Sequence, residues 1–232
     1  MRRYLFILTI VLVSCSDASR SKRVISILED KTEDDFLVVV NPEAILNITG
    51  LKEDKWQGII LRYQTITNVS YNHVKVVSLP VASEVWGNEF KREEQITRFK
   101  QHAGEMLSDS TRTGHHHSAI FKPLIKEIIH LQRDTISNTR LYLISDLQEN
   151  TPDFFSVYNP YDLKKLKTKP EKVQELFLAQ TTGVNRSMNH IEVVVVYEPT
   201  TVLEDQHFAM MVTLYQAVFK TLNIPISFQS NI

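Results

Sequence analysis

The sequence predicts an α/β fold with a doubly wound, mostly parallel sheet, one antiparallel edge strand and helices on both faces. Short apolar runs rich in β-branched residues, such as 24–28 and 191–196, alternate with longer amphipathic segments. Two strand-like segments within 57–81 are separated only by a short turn-prone stretch, which indicates an antiparallel pair. Glycine occurs only six times and no composition shift divides the chain, so one main domain is expected.

The elements are predicted in chain order from periodicity and turn signals. Residues 24–28 form a buried strand, and 41–51 form a short helix with Asn41 as its N-cap and Pro42 at its first position. The "FLVVV" run at 36–40 has strand propensity but no clear place. The remaining predictions are strands at 57–67, 73–81, 140–145, 191–199 and 224–228, and helices at 92–107, 118–131, 171–180 and 203–223.

The N-terminus is expected to be a targeting segment. Two arginines precede an apolar run at 4–13 that is too short to span a bilayer comfortably. The following Leu-Val-Ser-Cys, ending at Cys15, resembles the bacterial lipobox, which implies cleavage before Cys15 and lipidation of that residue. The expected organisation is a signal peptide at 1–14, a lipidated Cys and tether at 15–22, and a domain at 23–232. The residue after Cys15 is Ser16 instead of Asp, and in the common sorting rule for lipoproteins this favours transport to the outer membrane of the bacterial cell envelope.

Composition narrows the classes of partner. Cys15 is the only cysteine, so no internal disulfide can form. The formal net charge is −1, which implies no broad basic surface and no nucleic-acid partner.

Acidic residues follow the first strand in an unusual density. The strand at 24–28 continues into five carboxylates within seven residues: Glu29, Asp30, Glu33, Asp34 and Asp35. A bound cation would offset their mutual repulsion. Asp30, Thr32 and Asp34 alternate, and alternating side chains in an extended turn can point toward one ion. Carboxylate and hydroxyl oxygens are the ligands that hard divalent cations prefer, and Asp146 ends another predicted strand.

This pattern resembles a von Willebrand factor A (VWA) domain with a metal-ion-dependent adhesion site. Asp30 and Thr32 match the first motif of that family, Ser118 its second loop, and Asp146 in "LYLISD" its third loop. Asp34 stands where the family has a second Ser. The resemblance implies a site for Mg²⁺, or for Mn²⁺ or Ca²⁺, with one coordination position open to an acidic residue of a protein partner. A metal-dependent binding module of the cell envelope is therefore the first hypothesis.

Simpler interpretations remain open for several of these residues. The acidic run can be a solvated loop, and Ser118 can act only as a helix N-cap. Residues 115–117 are three consecutive histidines, which form either an exposed loop or a pair of transition-metal ligands near the site.

Aromatic residues lie in the Pro- and Asn-rich segment after Asp146. These residues are Phe154, Phe155, Tyr158 and Tyr161. They form either a partner-binding surface, with the first three as its contacts, or an anchor that holds the segment on its own domain. The basic stretch at 162–172 is interpreted as a solvated face.

Three common enzyme motifs are absent from the sequence. There is no G-x-S-x-G elbow, no glycine-rich phosphate loop and no His-Glu-x-x-His. We therefore expect a protein that is not an enzyme. Two alternatives to the binding module stay open: a metal-dependent hydrolase on a related fold with Asp30 as nucleophile or ligand, and a structural lipoprotein with a degenerate metal site.

Overall fold

The computed structural model describes residues 22–31, 42–66, 72–108, 118–134, 138–187 and 190–232. The strands in this part of the chain are β1 (Lys22–Asp30), β2 (Gly58–Ile66), β3 (Val74–Leu79), β4 (Asn138–Ile144), β5 (Asn150–Thr151), β6 (Phe155–Ser156), β7 (Ile191–Val196) and β8 (Ile226–Gln229). The helices are α1 (Pro42–Ile48), α2 (Glu89–Leu107), α3 (Phe121–Leu131), α4 (Pro160–Thr168), α5 (Pro170–Ala179) and α6 (Val202–Leu222).

The main sheet has the strand order β3-β2-β1-β4-β7-β8 within the described ranges. Neighbouring strands are parallel throughout, except that β3 at one edge is antiparallel to β2. This confirms the predicted fold class. The helical crossovers between parallel strands place helices on both faces of the sheet, as doubly wound folds require.

Two apolar cores lie on the two faces of this sheet. Alternate residues of β1 divide between them, with Val24 and Leu28 on one face and Ile25 and Ile27 on the other. The first core is completed by α3, α4, α5 and α6, and the second by α1 and α2. Burial on both faces explains why the central strands are continuous apolar runs instead of alternating ones.

Three of the described helices, α2, α4 and α6, start with a side-chain N-cap. The Asn88 side chain accepts a hydrogen bond from the backbone N–H of Lys91 at the start of α2, at 3.0 Å. Thr201 caps α6 in the same way, and α6 ends at Asn223 in the left-handed conformation with φ 57°.

Strand β4 ends at Ile144, within one residue of its predicted end, and Asp146 lies in the following loop. The basic stretch at 162–172 contributes most of α4, a helix that was not predicted and that starts with the Asn159 cap and Pro160. Only Leu166 of this stretch is buried, so the stretch is largely solvated, as expected. The β5–β6 hairpin was not predicted. The "FLVVV" run and the Asn41 cap lie outside the described residues.

The parallel strands define two edges of the sheet that are used below. At the amino edge, Lys22 of β1 pairs with Gly58 of β2, where both strands begin. At the carboxyl edge, Glu29 of β1 pairs with Ile144 of β4. Asp30 and the loop that follows β4 therefore lie at the same edge, side by side.

No helix in the described part of the chain is both long and apolar enough to cross a membrane.

Candidate metal site at the carboxyl edge

Asp30 connects two segments that are distant in sequence. Its Oδ2 accepts a hydrogen bond of 2.8 Å from the Ser118 hydroxyl and one of 3.3 Å from the Ser145 hydroxyl. All three residues are buried, and Asp30 is only 3% exposed. The carboxylate thus lies between the loop before α3 and the loop after β4. Ser118 was predicted from the sequence, whereas Ser145 was not.

Ser118 does not cap α3. The N-cap of that helix is Ile120, which makes no side-chain capping bond. The Ser118 hydroxyl points instead to Asp30, so the simple N-cap interpretation is wrong. A hydroxyl that donates its only proton still has oxygen lone pairs with which to coordinate a cation.

Asp146 lies in a tight turn two residues after the end of β4. Its Oδ1 accepts a 2.8 Å hydrogen bond from the backbone N–H of Gln148, and the Ser145 hydroxyl accepts one of 3.0 Å from the N–H of Leu147. Leu147 adopts the left-handed conformation with φ 62°, which is unfavourable for a non-glycine residue. Its side chain is completely buried in the core, which offsets that cost. The turn therefore has a fixed shape.

Glu149 replaces a conventional cap at the start of α3. Its Oε2 accepts hydrogen bonds of 3.0 Å and 2.8 Å from the backbone N–H groups of Ile120 and Phe121. Its Oε1 accepts a further bond from the Thr151 hydroxyl. The helix N-terminus favours negative charge at this position. Burial of Glu149 follows from tertiary contacts, and nothing in the local sequence distinguished it from a loop residue.

Tyr215 of α6 brings a phenol to the same buried region. The residue is completely buried, and its Oη has no hydrogen-bond partner among the described residues. Burial raises the pKa of Tyr215 well above its ordinary value, and the charges of Glu149, Asp146 and Asp30 add to that rise. The hydroxyl therefore stays protonated and can donate to an oxygen ligand at this site.

The buried carboxyl of Glu149 predicts a specific pH dependence of stability. Burial raises the pKa of Glu149 to about 7 from its ordinary 4.5, and the charge of Asp30 acts in the same direction, while the three hydrogen bonds it accepts oppose the rise. The unfolded chain loses this proton near pH 4.5 and the folded chain near pH 7. Stability from this group is therefore greatest below pH 4.5 and falls as the pH rises to 7, by about 3 kcal/mol in total.

Urea unfolding at pH 5 and pH 7.5, with chelator present, measures this effect. Glu149→Gln keeps an acceptor for the α3 amides but has no proton to lose, so its stability should decline less than that of the wild type across this range. Glu171→Gln, at an exposed position in the first turn of α5, is the matched control and should follow the wild type. Parallel pH profiles for wild type and Glu149→Gln would contradict the assignment.

The chemistry of the gathered groups fits a hard cation. Asp30, Asp146 and the Ser118 hydroxyl offer oxygen donors at one edge, and the Tyr215 hydroxyl, which has no partner in the described part of the chain, can hold a water ligand. In the described ranges, no three His, Cys, Asp or Glu side chains form a group that could hold a metal ion. A site of the resembled kind uses two carboxylates completed by hydroxyl groups. Metal binding therefore stays a prediction.

Several predicted residues lie outside the described part of the chain. These are the proposed ligands Thr32 and Asp34, the lipidation site Cys15, and the triplet His115, His116 and His117. Asp30, Ser118 and Asp146 are the predicted metal-site residues that the structure describes, and all three lie at the carboxyl edge.

The aromatic segment after Asp146 divides into two parts. Phe155 is 1% exposed and Phe154 packs against the core, where both rings contact Phe177 of α5. Phe155 therefore cannot present its ring to a partner, and the interpretation of these two residues as an anchor for the segment fits their packing. Tyr158 and Tyr161 remain 51% and 74% exposed. Among the four aromatic residues, only the tyrosines and the accessible part of Phe154 can contact a partner.

Comparisons with known proteins place the chain by fold only. No protein-family model matches it, and no curated protein matches it either. Among solved structures, an aspartate-to-alanine mutant of the PilB minor pilin from Streptococcus sanguinis matches with a TM-score of 0.52 and 10% identity, over 92% of this chain and 58% of that one. The human COPII-coat protein Sec24c matches with a TM-score of 0.41 and 12% identity, over 91% of this chain and 30% of that one. The chain thus spans less than two thirds of either protein, and the likeness to the pilin is one of α/β fold.

Proposed function

We propose that this chain is a lipid-anchored protein of the bacterial cell envelope whose VWA-like domain binds a divalent cation and, through it, a protein partner. The observation that carries the proposal is the junction at the carboxyl edge. Asp30 accepts a 2.8 Å hydrogen bond from Ser118, and Asp146 follows the adjacent parallel strand. These residues come from three separate segments and correspond to the three motifs of the resembled family.

The electrostatics at this edge favour a cation. Burial is the main cause of the raised pKa of the Tyr215 hydroxyl, and the charges of Glu149, Asp146 and Asp30 add to it, so three carboxyl groups act on one buried hydroxyl. The Lys31 ammonium lies 3.4 Å from a carboxylate oxygen of Glu29, and Glu29 contacts Tyr63 of the second core, on the face of the sheet opposite to that of Asp30. A divalent cation would supply positive charge among the carboxylates.

Five residues are assigned to this cation in the proposal. Asp30, Thr32, Ser118 and Asp146 would provide its oxygen ligands, with Asp34 bound directly or through water. Mg²⁺ is the first choice, because it combines a few protein oxygens with several waters, and Mn²⁺ and Ca²⁺ accept similar donors. The bound ion would offer a positive coordination position to an acidic side chain of the partner.

The arrangement of elements adds support at the level of fold. The described elements are a strand, a helix, an antiparallel strand pair, two helices, and then β4, the β5–β6 hairpin, α4, α5, β7, α6 and β8. Apart from the hairpin and the additional helix α4, this order agrees with the one that the resemblance implies. Strands β1 and β4 lie side by side at the centre of the sheet, and ligands in such folds bind beyond the carboxyl ends of central strands.

Metal binding predicts a gain in thermal stability. An ion at 100 times its Kd stabilises the folded state by about 2.7 kcal/mol, which for a chain of this size is roughly 5–10 °C in Tm. We expect this shift for the wild-type protein on adding millimolar Mg²⁺ or Mn²⁺ after chelator treatment, measured by scanning calorimetry. Asp146→Ala should abolish it, because the variant removes one of the two carboxylates.

An aspartate at the opposite edge provides the matched control. Asp134 lies just after α3 and pairs with Lys22 at 3.1 Å at the amino edge. Asp134→Asn should retain the full metal-dependent shift. A wild-type protein with no shift at millimolar ion would count against the metal site and favour a structural lipoprotein.

Capture of partners from envelope extracts tests the second part of the proposal. Immobilised wild-type protein should retain a partner in Mg²⁺ and release it in chelator, and Asp146→Ala should not retain it. Retention that ignores both chelator and variant would contradict metal-dependent recognition.

A further inference from the structure

Three large apolar side chains project from one short region of the surface. Val85 and Trp86, in the loop between β3 and α2, are 73% and 85% exposed, and Phe90, in the first turn of α2, is 90% exposed. We call these three residues the apolar tip. Single exposed apolar residues are common, but two exposed aromatic rings and a valine within six residues are typical of a contact surface.

The backbone that carries the apolar tip is held in place. The Trp86 N–H donates to the Ser83 hydroxyl at 3.2 Å. Gly87 packs so closely on Trp56 that an added Cβ would lie 2.5 Å from its indole ring and 2.0 Å from the Ser83 carbonyl oxygen. The Ala82 N–H donates to the Trp56 carbonyl at 3.0 Å. Exposure of the tip therefore follows from a fixed turn.

The apolar tip lies at the amino edge of the sheet. Leu79, the last residue of β3, pairs with Ile59 near the start of β2, and Val81 contacts Gly58. Gly58 in turn pairs with Lys22, where β1 begins. The tip is thus beside the point at which the N-terminal segment enters the domain, and it lies at the edge opposite to the candidate metal site.

The length of chain before β1 links this edge to a membrane in the proposed function. Cys15 precedes Lys22 by seven residues, which span at most about 25 Å when fully extended. A lipid on Cys15 would therefore keep the amino edge close to the bilayer. Tryptophan and phenylalanine are favoured at the membrane interface, where rings contact both headgroups and acyl chains.

We propose that Val85, Trp86 and Phe90 insert into the bilayer surface beside lipidated Cys15 and orient the carboxyl edge away from the membrane. The step rests on the lipid anchor of the proposed function, not on its metal site. Glu84, Glu89 and Lys91 neighbour the tip in sequence, and Lys55 pairs with Glu89 and Glu93 of α2, so the surroundings of the tip carry charges of both signs. Insertion is therefore expected to depend on apolar contact and to resist added salt.

The two tryptophans of the chain make this proposal directly measurable. Trp86 is exposed, whereas Trp56 is 7% exposed. The full lipidated chain, purified from membranes, is reconstituted into vesicles of phosphatidylethanolamine and phosphatidylglycerol with and without brominated acyl chains. We expect the brominated lipid to quench the fluorescence of the wild type and to have little effect on Trp86→Phe, which retains only Trp56. The double variant Val85→Ser, Phe90→Ser should show weaker quenching than the wild type.

Quenching by iodide, which stays in the aqueous phase, measures how far Trp86 is exposed to water. Vesicle-bound wild type should be protected from iodide at Trp86, at both low and high salt. If iodide quenches Trp86 and brominated lipid does not, the tip faces water and the bilayer proposal is overturned. The proposal is also overturned if the tip faces water until an added protein partner covers it.

Two further measurements distinguish a missing lipid anchor or metal site from a tip that does not insert into the bilayer. Mass spectrometry of Cys15 reports the lipid, and the Mg²⁺-dependent Tm shift reports the metal site in the same preparation. If Cys15 carries no lipid, the protein is mixed with preformed vesicles and sedimented. Binding that Trp86→Ser weakens still supports insertion, and protein that stays in the supernatant overturns it.

Discussion

Replacing Glu127 with alanine is expected to lower the free energy of unfolding by about 3–5 kcal/mol. Glu127 of α3 is 4% exposed and accepts hydrogen bonds of 2.6 Å and 3.1 Å from the Arg62 guanidinium of β2 and one of 2.8 Å from the Ser26 hydroxyl of β1. Alanine would leave the Arg62 side chain, 13% exposed, without its carboxylate. Urea unfolding at constant pH measures the loss.

An exposed ion pair of the same residue types is the control for this prediction. Arg140 and Glu192 pair across β4 and β7 at 2.8 Å, with side chains 50% and 39% exposed. Glu192→Ala should cost less than about 1 kcal/mol. Combining Glu127→Leu with Arg62→Met should restore much of the stability lost in Glu127→Ala, because no buried charge is left unpaired. Equal losses for Glu127→Ala and Glu192→Ala would contradict a special role for burial.

The second large effect is expected at Arg92 of α2. This residue is 1% exposed, and its guanidinium donates to the backbone carbonyls of Lys55, Pro80 and Gln57 at 2.6, 2.8 and 2.6 Å. Methionine has a similar stem but no donors, so Arg92→Met leaves three carbonyl groups poorly satisfied. At about 1–3 kcal/mol for each lost partner, the free energy of unfolding should fall by at least about 3 kcal/mol.

Arg98 on the same helix is the matched control for Arg92. Its side chain is 70% exposed and pairs with Glu94 one turn earlier. Arg98→Met should change the free energy of unfolding by less than about 0.5 kcal/mol, because exposed pairs at this helical spacing contribute little. A small effect of Arg92→Met in the same urea experiment would show that water replaces the lost donors.

Sequence patterns predicted most of the sheet because its central strands are buried on both faces. A segment such as 191–196 has no other stable place in a domain of this size, so its type could be assigned without tertiary information. Helix α4 was missed because its lysines dominate the pattern and a single residue, Leu166, is buried. The order of strands cannot be read from periodicity, and the antiparallel pair was assigned because its connection is short.

The candidate site could be predicted where residue type and strand position coincide. Asp30 ends one apolar strand and Asp146 follows another, which is sufficient to place both at one edge once the strands are parallel. Ser145, Glu149 and Tyr215 escaped prediction for a different reason. Their importance depends on which helix packs over the edge, and a glutamate in a polar loop or a tyrosine in an apolar helix carries no local sign of that contact.

The length of β1, which has nine residues, sets the distance between the two edges of the sheet. If the amino edge lies on the membrane, this distance limits which partners can reach the carboxyl edge. At about 3.3 Å per residue, the strand separates its two ends by roughly 30 Å. A domain standing upright on its lipid would hold its acidic end at that height above the headgroups. Molecules that protrude this far from the bilayer, or arrive from the surrounding space, could reach it, whereas those lying flat against the lipid could not.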